Sequence, residues 1–280
     1  MHLPDFMDQR EILPDPSAYE ALPPQWRACL KSQIAMLHKL WLPLNPERLC
    51  LRDLPGAGSL FCEYTPRSWI IFVLAADYAS PVGLIAAVLP ALMAGAELIL
   101  ICRLKDESCP VHFPSSLSLA LEFLGQECFY SLDAGELSAL LENMLAQSGP
   151  ESGGMVVLGD DGAGEALFLR AQRLGLASRL LPGRMRIALA GDSGRHSGAE
   201  DHLLRWLYPQ AEFLPLALDP GGAYAAVFGR SASPCPAPSS SRQKKVFPKA
   251  ALALGPGREF FWLWPNLAPR DFYRQVFTLL

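Results

Sequence analysis

Residues 69 to 104, WIIFVLAADYASPVGLIAAVLPALMAGAELILICRL, decide the fold of this chain. The run from Trp69 to Ala75 is short, apolar and rich in β-branched and aromatic residues, which is typical of a buried strand. A polar turn follows, and Pro81 can open a helix that runs to about Met93. The segment from Glu97 to Leu104 predicts a second buried strand. Strand, helix and strand in this order form the repeating unit of a parallel sheet, whose two faces must both be covered by helices.

The central helix has a second interpretation, because the stretch from Tyr78 to Ala96 contains 19 uncharged residues and is long enough to cross a membrane. Against this, Asp77 and Glu97 bracket the stretch without basic flanking residues, and Pro90 and Gly95 interrupt it. Further strand and helix patterns follow at once. We therefore predict a buried crossover helix and no membrane partner.

The amino-acid composition limits the classes of protein to which this chain can belong. Of the 280 residues, 50% are hydrophobic and 19% are charged, which predicts a well-buried core. The net charge of −4 and the lack of a basic stripe argue against a nucleic-acid partner. The opening residues, MHLPDFMDQREILPDP, do not resemble a secretion signal, so we expect a cytoplasmic protein. The 7 cysteines lack metal-type spacing and are expected to be small core residues in a reducing compartment.

Strand and helix patterns alternate from Trp69 to about Tyr208, which predicts an α/β fold built on a doubly wound, mostly parallel sheet. Two helices carry capping-box spacing, the first at Asp133 and Glu136 and the second at Ser197 and Glu200. The predicted units, in order, are a helical arm over residues 1–65 with an irregular stretch from Asn45 to Pro66, a Rossmann-like domain over 66–210, an irregular segment and linker over 211–245, and a C-terminal unit over 246–280. In that last unit we expect a β-hairpin, formed by Ala250 to Leu254 and Glu259 to Trp264, and a closing helix from Asp271 to Leu280.

Several blocks of the chain resemble the histidinol dehydrogenase family, which is related in fold to the aldehyde dehydrogenases. The block FVLAADYASPVGLIAAVLPALMAG, residues 72–95, matches without gaps the family's strand, glycine-rich turn, proline and helix ending in P-A-x-x-A-G. The blocks at 129–141, 156–175, 181–192 and 267–275 are similar to later family segments. The resemblance implies a dehydrogenase-like fold, an NAD site at the carboxyl edge of the sheet, and a homodimer with interlocking termini.

The chain departs from the family where the family's chemistry is located. Family members are longer, and residues 210–265 have no counterpart for most of the substrate domain or for its paired glutamate and histidine. At the position of the family's zinc-binding A-E-H-G signature this chain has LYPQAEF, residues 207–213, which contains no histidine. His196 and His202 are too far apart in sequence to share a helix face as a metal pair. We therefore expect neither zinc nor the family's catalytic residues.

The resemblance also implies where a cofactor would make contact, and several of these residues are altered. Phe72 takes the place of a tyrosine, Glu136 of a glutamine, and Ala75 and Ala76 of paired glycines. The candidate cofactor-binding residues are Phe72, Asp77, Glu136, Gly159, Asp160 and Gly162. Asp77, Asp160 and Asp161 are predicted to surround the carboxyl ends of the strands, where they would repel a pyrophosphate unless a metal or an arginine intervened. NAD is therefore a candidate cofactor with a weakened site.

Other candidate groups have simpler interpretations. GDDGAG at residues 159–164 can cradle a phosphate, but a tight strand-to-helix turn is commoner. The three aspartates can hold a divalent cation, although turn and cap aspartates are commoner. A cysteine nucleophile needs an exposed thiol of lowered pKa, and Cys62, Cys102 and Cys128 lie in apolar runs. The aromatic residues Phe260, Phe261, Trp262 and Trp264 are most simply core or a subunit contact.

The sequence favours a histidinol dehydrogenase-like protein that has kept the frame of the cofactor domain and lost catalysis. Such a protein would bind a small molecule, a nucleotide or a protein partner, and the resemblance makes a homodimer the expected assembly. Two alternatives stay open. One is an active NAD-dependent oxidoreductase acting on an aldehyde or amino alcohol, and the other is an assembly subunit that uses its aromatic C-terminus as an interface.

Overall fold

A computed structural model describes residues 2–13, 17–42, 49–54, 58–105, 113–126, 129–159, 162–190, 198–215, 223–229, 249–254 and 258–279. The helices are α1 (Ala18–Ala21), α2 (Pro24–Trp41), α3 (Pro81–Ala94), α4 (Ser115–Phe123), α5 (Ala134–Ser148), α6 (Gly162–Arg173) and α7 (Gly198–Leu207). The strands are β1 (Glu11–Ile12), β2 (Leu49–Leu54), β3 (Gly58–Pro66), β4 (Trp69–Leu74), β5 (Leu98–Leu104), β6 (Phe129–Leu132), β7 (Gly153–Leu158), β8 (Ala177–Leu181), β9 (Arg186–Ala190), β10 (Glu212–Pro215), β11 (Ala223–Gly229), β12 (Lys249–Leu254) and β13 (Tyr273–Leu279).

The largest sheet has six strands in the order β1-β6-β5-β4-β7-β8. β4 lies between β5 and β7 and runs parallel to both, while the short β1 pairs antiparallel with β6 at the edge. This arrangement confirms the predicted α/β class and the strand, helix and strand unit formed by β4, α3 and β5. Parallel pairing of this kind requires long crossovers, and α3 is the crossover between the two central strands.

Both faces of the large sheet are buried because successive side chains of a strand point to opposite faces. Ile70, Phe72 and Leu74 of β4 belong to one core cluster, together with residues of α2, α3 and α4. Trp69, Ile71 and Val73 belong to a second cluster, which α5 and α6 cover. All six residues of β4 are buried as a result.

The predicted central helix begins and ends as its sequence indicates. Ser80 caps α3 by accepting a hydrogen bond from the backbone N–H of Gly83, and Pro81 occupies the first helical position. Gly95 ends the helix in the left-handed conformation, at φ 79°. Almost every residue of α3 is buried within the protein. Across the part of the chain that the structure describes, no helix has the length and apolar character to cross a bilayer.

The predicted single sheet is divided in two, which corrects the sequence prediction. β8 is the last strand of the large sheet, and β9 instead pairs with β10 and β11 in a four-stranded parallel sheet of order β10-β9-β11-β12. The strand signal at residues 184–190 was right, but an apolar run does not specify its pairing partner. β8 was not predicted, because only Ser178 and Leu181 of its residues are buried. Ser197, the expected cap of α7, lies outside the described residues.

Three predictions for the outer segments are wrong. Residues 249–254 do not form a hairpin with 259–264, because β12 pairs in parallel with β11 and residues 259–264 contain no strand. The closing helix is replaced by a short 3-10 helix, Pro269–Phe272, followed by β13. The stretch expected to be irregular forms β2 and β3, which join β13 in a three-stranded antiparallel sheet. Pairing with strands that are distant in the sequence determines the structure of β12 and β13.

Candidate functional site

The turn between β4 and α3 lies at the carboxyl edge of the large sheet, where parallel α/β sheets bind their ligands. The side chain of Gln210 spans this turn. Its Nε2 donates to the backbone oxygen of Asp77 at 2.9 Å, and its Oε1 accepts from the backbone N–H of Ala79 at 3.3 Å. The hydroxyl of Ser80 donates to the backbone oxygen of Leu207 at 2.8 Å. The end of α7 and the residues after it therefore cover the turn.

The neighbouring strand adds a further contact to the same turn. The Arg103 guanidinium, on β5, donates to the backbone oxygen of Ala76 and lies over the ring of Phe113, with 5.6 Å to the ring centroid. Asp77 is the predicted cofactor-binding residue in this turn, and its side chain is exposed to solvent. No local sequence signal could have identified Gln210, because 133 positions separate it from Asp77.

Gly159 and Gly162 flank the next turn, between β7 and α6. Gly159 has φ 127°, a conformation that favours glycine, and its backbone N–H donates to the oxygen of Leu181 at 3.0 Å. A Cβ atom at Gly159 would lie 2.2 Å from the Cβ of Ala75, so close packing of the strand ends also requires glycine. Gly162 is exposed and opens α6. Asp160 and Asp161, predicted to lie near Asp77, are outside the described residues.

Glu136 is held by its own structural contacts. Its carboxylate forms a capping box with Asp133 at the start of α5, which confirms the predicted cap. It also accepts from the Arg10 guanidinium at 2.6 Å and from Lys105 Nζ at 3.1 Å. Burial opposes ionisation, but the backbone N–H of Asp133 and the two cationic side chains outweigh it and hold the pKa of Glu136 below its ordinary value. The Glu136 carboxylate is therefore paired within the protein, by two cationic side chains and one backbone N–H.

Replacing Glu136 with glutamine is expected to lower the free energy of unfolding by about 1 kcal/mol at neutral pH, since two partly exposed ion pairs are lost. The folded-state pKa lies below the unfolded value of about 4.3, so the contribution is fully present above that value. It is lost as the pH falls through the folded-state pKa. Urea unfolding at several pH values between 7 and 3 should show the difference between the wild type and the variant shrinking.

Glu142 offers a matched control for this measurement. It pairs with Arg170 at the surface, and the two side chains are 61% and 43% exposed. Because exposed pairs contribute little, the Glu142→Gln variant should differ only slightly from the wild type at every pH. A Glu136→Gln difference that stays constant down to pH 3 would contradict the assigned role of the carboxylate.

Phe72 lies within the core. Its side chain is fully buried, and its ring centroid lies 6.2 Å from that of Phe272. The structure thus separates the predicted cofactor residues into three groups. Asp77, Gly159 and Gly162 belong to the two turns at the carboxyl edge, Glu136 belongs to the capping network of α5, and Phe72 packs beneath the C-terminal segment.

Groups suited to nucleophilic or metal chemistry are not assembled among the described residues. Burial raises the pKa of the Cys102 thiol, and burial together with Glu259 raises that of Cys29, so both disfavour the reactive thiolate. Cys62 is buried in the core. The described side chains include no cluster of three histidine, cysteine or carboxylate residues suited to a metal. His38 is exposed on α2.

The C-terminal aromatic residues contribute to the core of the chain, which is one of the two interpretations that their sequence left open. Trp262 and Trp264 are buried and stack edge to face, with ring centroids 5.5 Å apart. The indole N–H of Trp264 donates to the backbone oxygen of Gly83 in α3 at 2.8 Å. The Tyr208 hydroxyl donates to the backbone oxygen of Glu259 at 2.8 Å. These contacts place the segment against the N-terminal end of α3.

The parallel sheet, with helices on both faces and strand-to-helix turns along one edge, defines a Rossmann-like α/β fold of the kind found in dehydrogenases. Within that class the structure is similar to the crystal structure of histidinol dehydrogenase from Elizabethkingia anophelis. The TM-score is 0.50 and the sequence identity 10%, and the match covers 94% of this chain and 74% of that chain. At this identity the likeness shows a shared fold alone, and it confirms the dehydrogenase-like fold that the resemblance implied.

Aldehyde dehydrogenases match over smaller parts of their chains. The Mycobacterium tuberculosis enzyme, complexed with NAD+, is 15% identical with a TM-score of 0.36, and the match covers 64% of this chain and 34% of that one. The enzyme from Brucella melitensis is 11% identical with a TM-score of 0.38, over 73% of this chain and 39% of that one. The sequence matches no family model and no curated protein.

Proposed function

We propose that this chain is a binding protein built on a dehydrogenase-like frame, without NAD-dependent catalysis. The observation that carries the proposal is the covered turn between β4 and α3. A dinucleotide bound at such an edge places its pyrophosphate against the free N–H groups of a turn and of the helix that follows it. Here the side chain of Gln210 accepts from the N–H of Ala79, and the hydroxyl of Ser80 accepts from that of Gly83.

Burial of the helix start supports the same proposal. Ser80, Pro81, Val82 and Gly83 are all buried, so the N-terminal end of α3 is not open to a phosphate. The next turn exposes Gly162, but the sequence places Asp160 and Asp161 directly before it. Two carboxylates beside a helix start oppose the binding of an anion. Both turns at the carboxyl edge are thus poorly suited to a pyrophosphate.

The side chains that could perform chemistry also support a non-catalytic role. The carboxylate of Glu136 is ion-paired, and burial raises the pKa of the Cys102 thiol, which disfavours a nucleophile. The assembly alternative loses support as well. The aromatic residues Trp262 and Trp264, which would have formed its interface, are buried in the core of the same chain. The homodimer stays a prediction, and sedimentation equilibrium at several protein concentrations tests it.

Thermal unfolding with millimolar NAD or NADH, with and without a divalent metal, tests the proposed function. We expect Tm to change by less than about 1 °C. A ligand present at a hundred times its dissociation constant would instead add about 2.7 kcal/mol and raise Tm by several degrees. A shift of that size, or NADH formation with aldehydes or amino alcohols, would contradict the proposal and favour an active oxidoreductase.

The Gln210→Ala variant is the matched comparison for this test. It removes the side chain that covers the turn and releases the backbone N–H of Ala79. A nucleotide-dependent shift in the variant alone would show that Gln210 closes an otherwise competent site. The absence of a shift in both proteins would assign the loss of binding to the remaining features of the edge, such as the buried helix start.

A further inference from the structure

A cavity lies on the large sheet, on the half of β7 and β8 that is opposite to the two turns described above. Its volume is about 200 Å³. The floor is formed by the first residues of β7 and β8, and the short 3-10 helix Pro269–Phe272 closes one side. Ile70 and Val156 contribute apolar wall, while Arg67, Arg179 and Arg270 contribute cationic groups. No local sequence pattern marks this site, because its residues come from distant segments.

The charge on the cavity wall is unbalanced. Three arginines line it, against one carboxylate, that of Asp271. Arg179 pairs with Asp271 at 2.9 Å, and within the described residues neither Arg67 nor Arg270 forms an ion pair. Burial, with the charges of Arg179 and Arg274, lowers the pKa of Arg67. An excess of positive charge that is partly removed from water favours an anionic ligand.

One buried donor on the wall lacks an acceptor. Arg67 donates from Nη1 to the backbone oxygens of Glu151 and Gly153, at 2.8 Å each, but its Nε has no hydrogen-bond partner among the described residues. Buried polar groups in native proteins are normally hydrogen-bonded, so this donor favours an acceptor in the cavity.

We propose that this cavity binds a small organic anion, a phosphate monoester or a carboxylate, whose oxygens accept from Arg67 and Arg270. A water molecule occupies about 30 Å³ of liquid, so a volume of about 200 Å³ equals that of about seven waters, which suits a small anion and is too small for a dinucleotide. The planar guanidinium group matches both phosphate and carboxylate geometry. The inference rests on the proposed function in one respect, since it names the ligand class of a binding protein.

Titration of the purified chain, residues 1–280, with inorganic phosphate or succinate, at constant ionic strength, tests the inference. Thermal unfolding should show a saturable rise of several degrees in Tm. The two anions distinguish phosphate from carboxylate recognition by their apparent affinities. The Arg270→Gln variant should bind at least tenfold more weakly, and this change breaks no hydrogen bond or ion pair that holds the fold among the described residues.

Arg173→Gln is the matched control, because Arg173 is an exposed arginine on α6 and does not line the cavity. It removes the same charge and should leave anion binding unchanged. The inference is overturned if neither anion gives a saturable shift, or if Arg173→Gln weakens binding as much as Arg270→Gln does. Such a failure is independent of the NAD titration, which alone decides whether the frame has retained cofactor binding.

Discussion

The Gly159→Ala variant is expected to lose about 4 kcal/mol of unfolding free energy, for two separable reasons. The φ of 127° lies in a region that side chains other than glycine rarely adopt, which costs about 1 to 3 kcal/mol. The added Cβ would also lie 2.2 Å from the Cβ of Ala75, and overpacking a rigid core site costs a further 1 to 3 kcal/mol or so. Urea denaturation followed by circular dichroism measures the sum.

Two comparison variants separate these costs. Gly125 also has a positive φ, 69°, but no atom lies within 4 Å of an added Cβ, so Gly125→Ala reports the backbone cost alone, about 1 kcal/mol. The Ala75→Gly, Gly159→Ala double variant removes the close Cβ pair, and it should recover about half of the loss. If the double variant were no more stable than Gly159→Ala, the contact between the two strand ends would not be the cause.

The Gln33→Met variant is expected to lose about 3 kcal/mol. Gln33 is fully buried on α2, where its Nε2 donates to the backbone oxygen of Trp262 at 2.7 Å and its Oε1 accepts from the Trp262 N–H at 2.8 Å. Methionine has a similar size but leaves both backbone groups buried without partners, at a cost of about 1 to 3 kcal/mol each, partly offset by the added apolar surface. Urea denaturation at pH 7 measures this loss.

Gln33→Glu is the informative control, because it keeps the size and one acceptor. An ionised carboxylate faces the Trp262 oxygen without a donor, and burial raises its pKa above the unfolded value of about 4.3. The penalty is therefore largest at neutral pH and shrinks as the pH falls through the folded-state pKa, where the protonated acid can donate. A penalty independent of pH would show that the two hydrogen bonds do not hold the C-terminal segment to α2.

The features predicted correctly depend on neighbours in the sequence. Pro81 and Gly95 bound α3 because the helix termini have local requirements, and Asp133 and Glu136 cap α5 across a single turn. The β4 strand is apolar at every position, which indicates a sheet covered on both faces. These signals were sufficient for the α/β class and the parallel core, and the structural likeness to a histidinol dehydrogenase agrees with them.

The features predicted wrongly depend on distant partners. The segment from Tyr273 to Leu279 was interpreted as a helix, but β3 pairs with it along its whole length and makes it a strand. β9 has an ordinary strand sequence, and nothing in that sequence distinguishes pairing with β8 from pairing with β10 and β11. Strand pairing satisfies backbone groups that every residue carries, so the side-chain pattern alone does not select the partner.

For the candidate site, the sequence by itself determined residue identity: residues 207–213 contain no histidine, and two aspartates precede Gly162. The expectation that zinc and the catalytic residues of histidinol dehydrogenases are missing rests on these identities and stays a prediction. Only the tertiary structure decided which backbone groups of the turns are already hydrogen-bonded and which side chains line a cavity. Gln210 covers a turn more than a hundred residues away, while Arg67, Arg179 and Arg270 meet around a cavity. Such contacts arise when the core packs and brings distant segments together, so no local pattern encodes them.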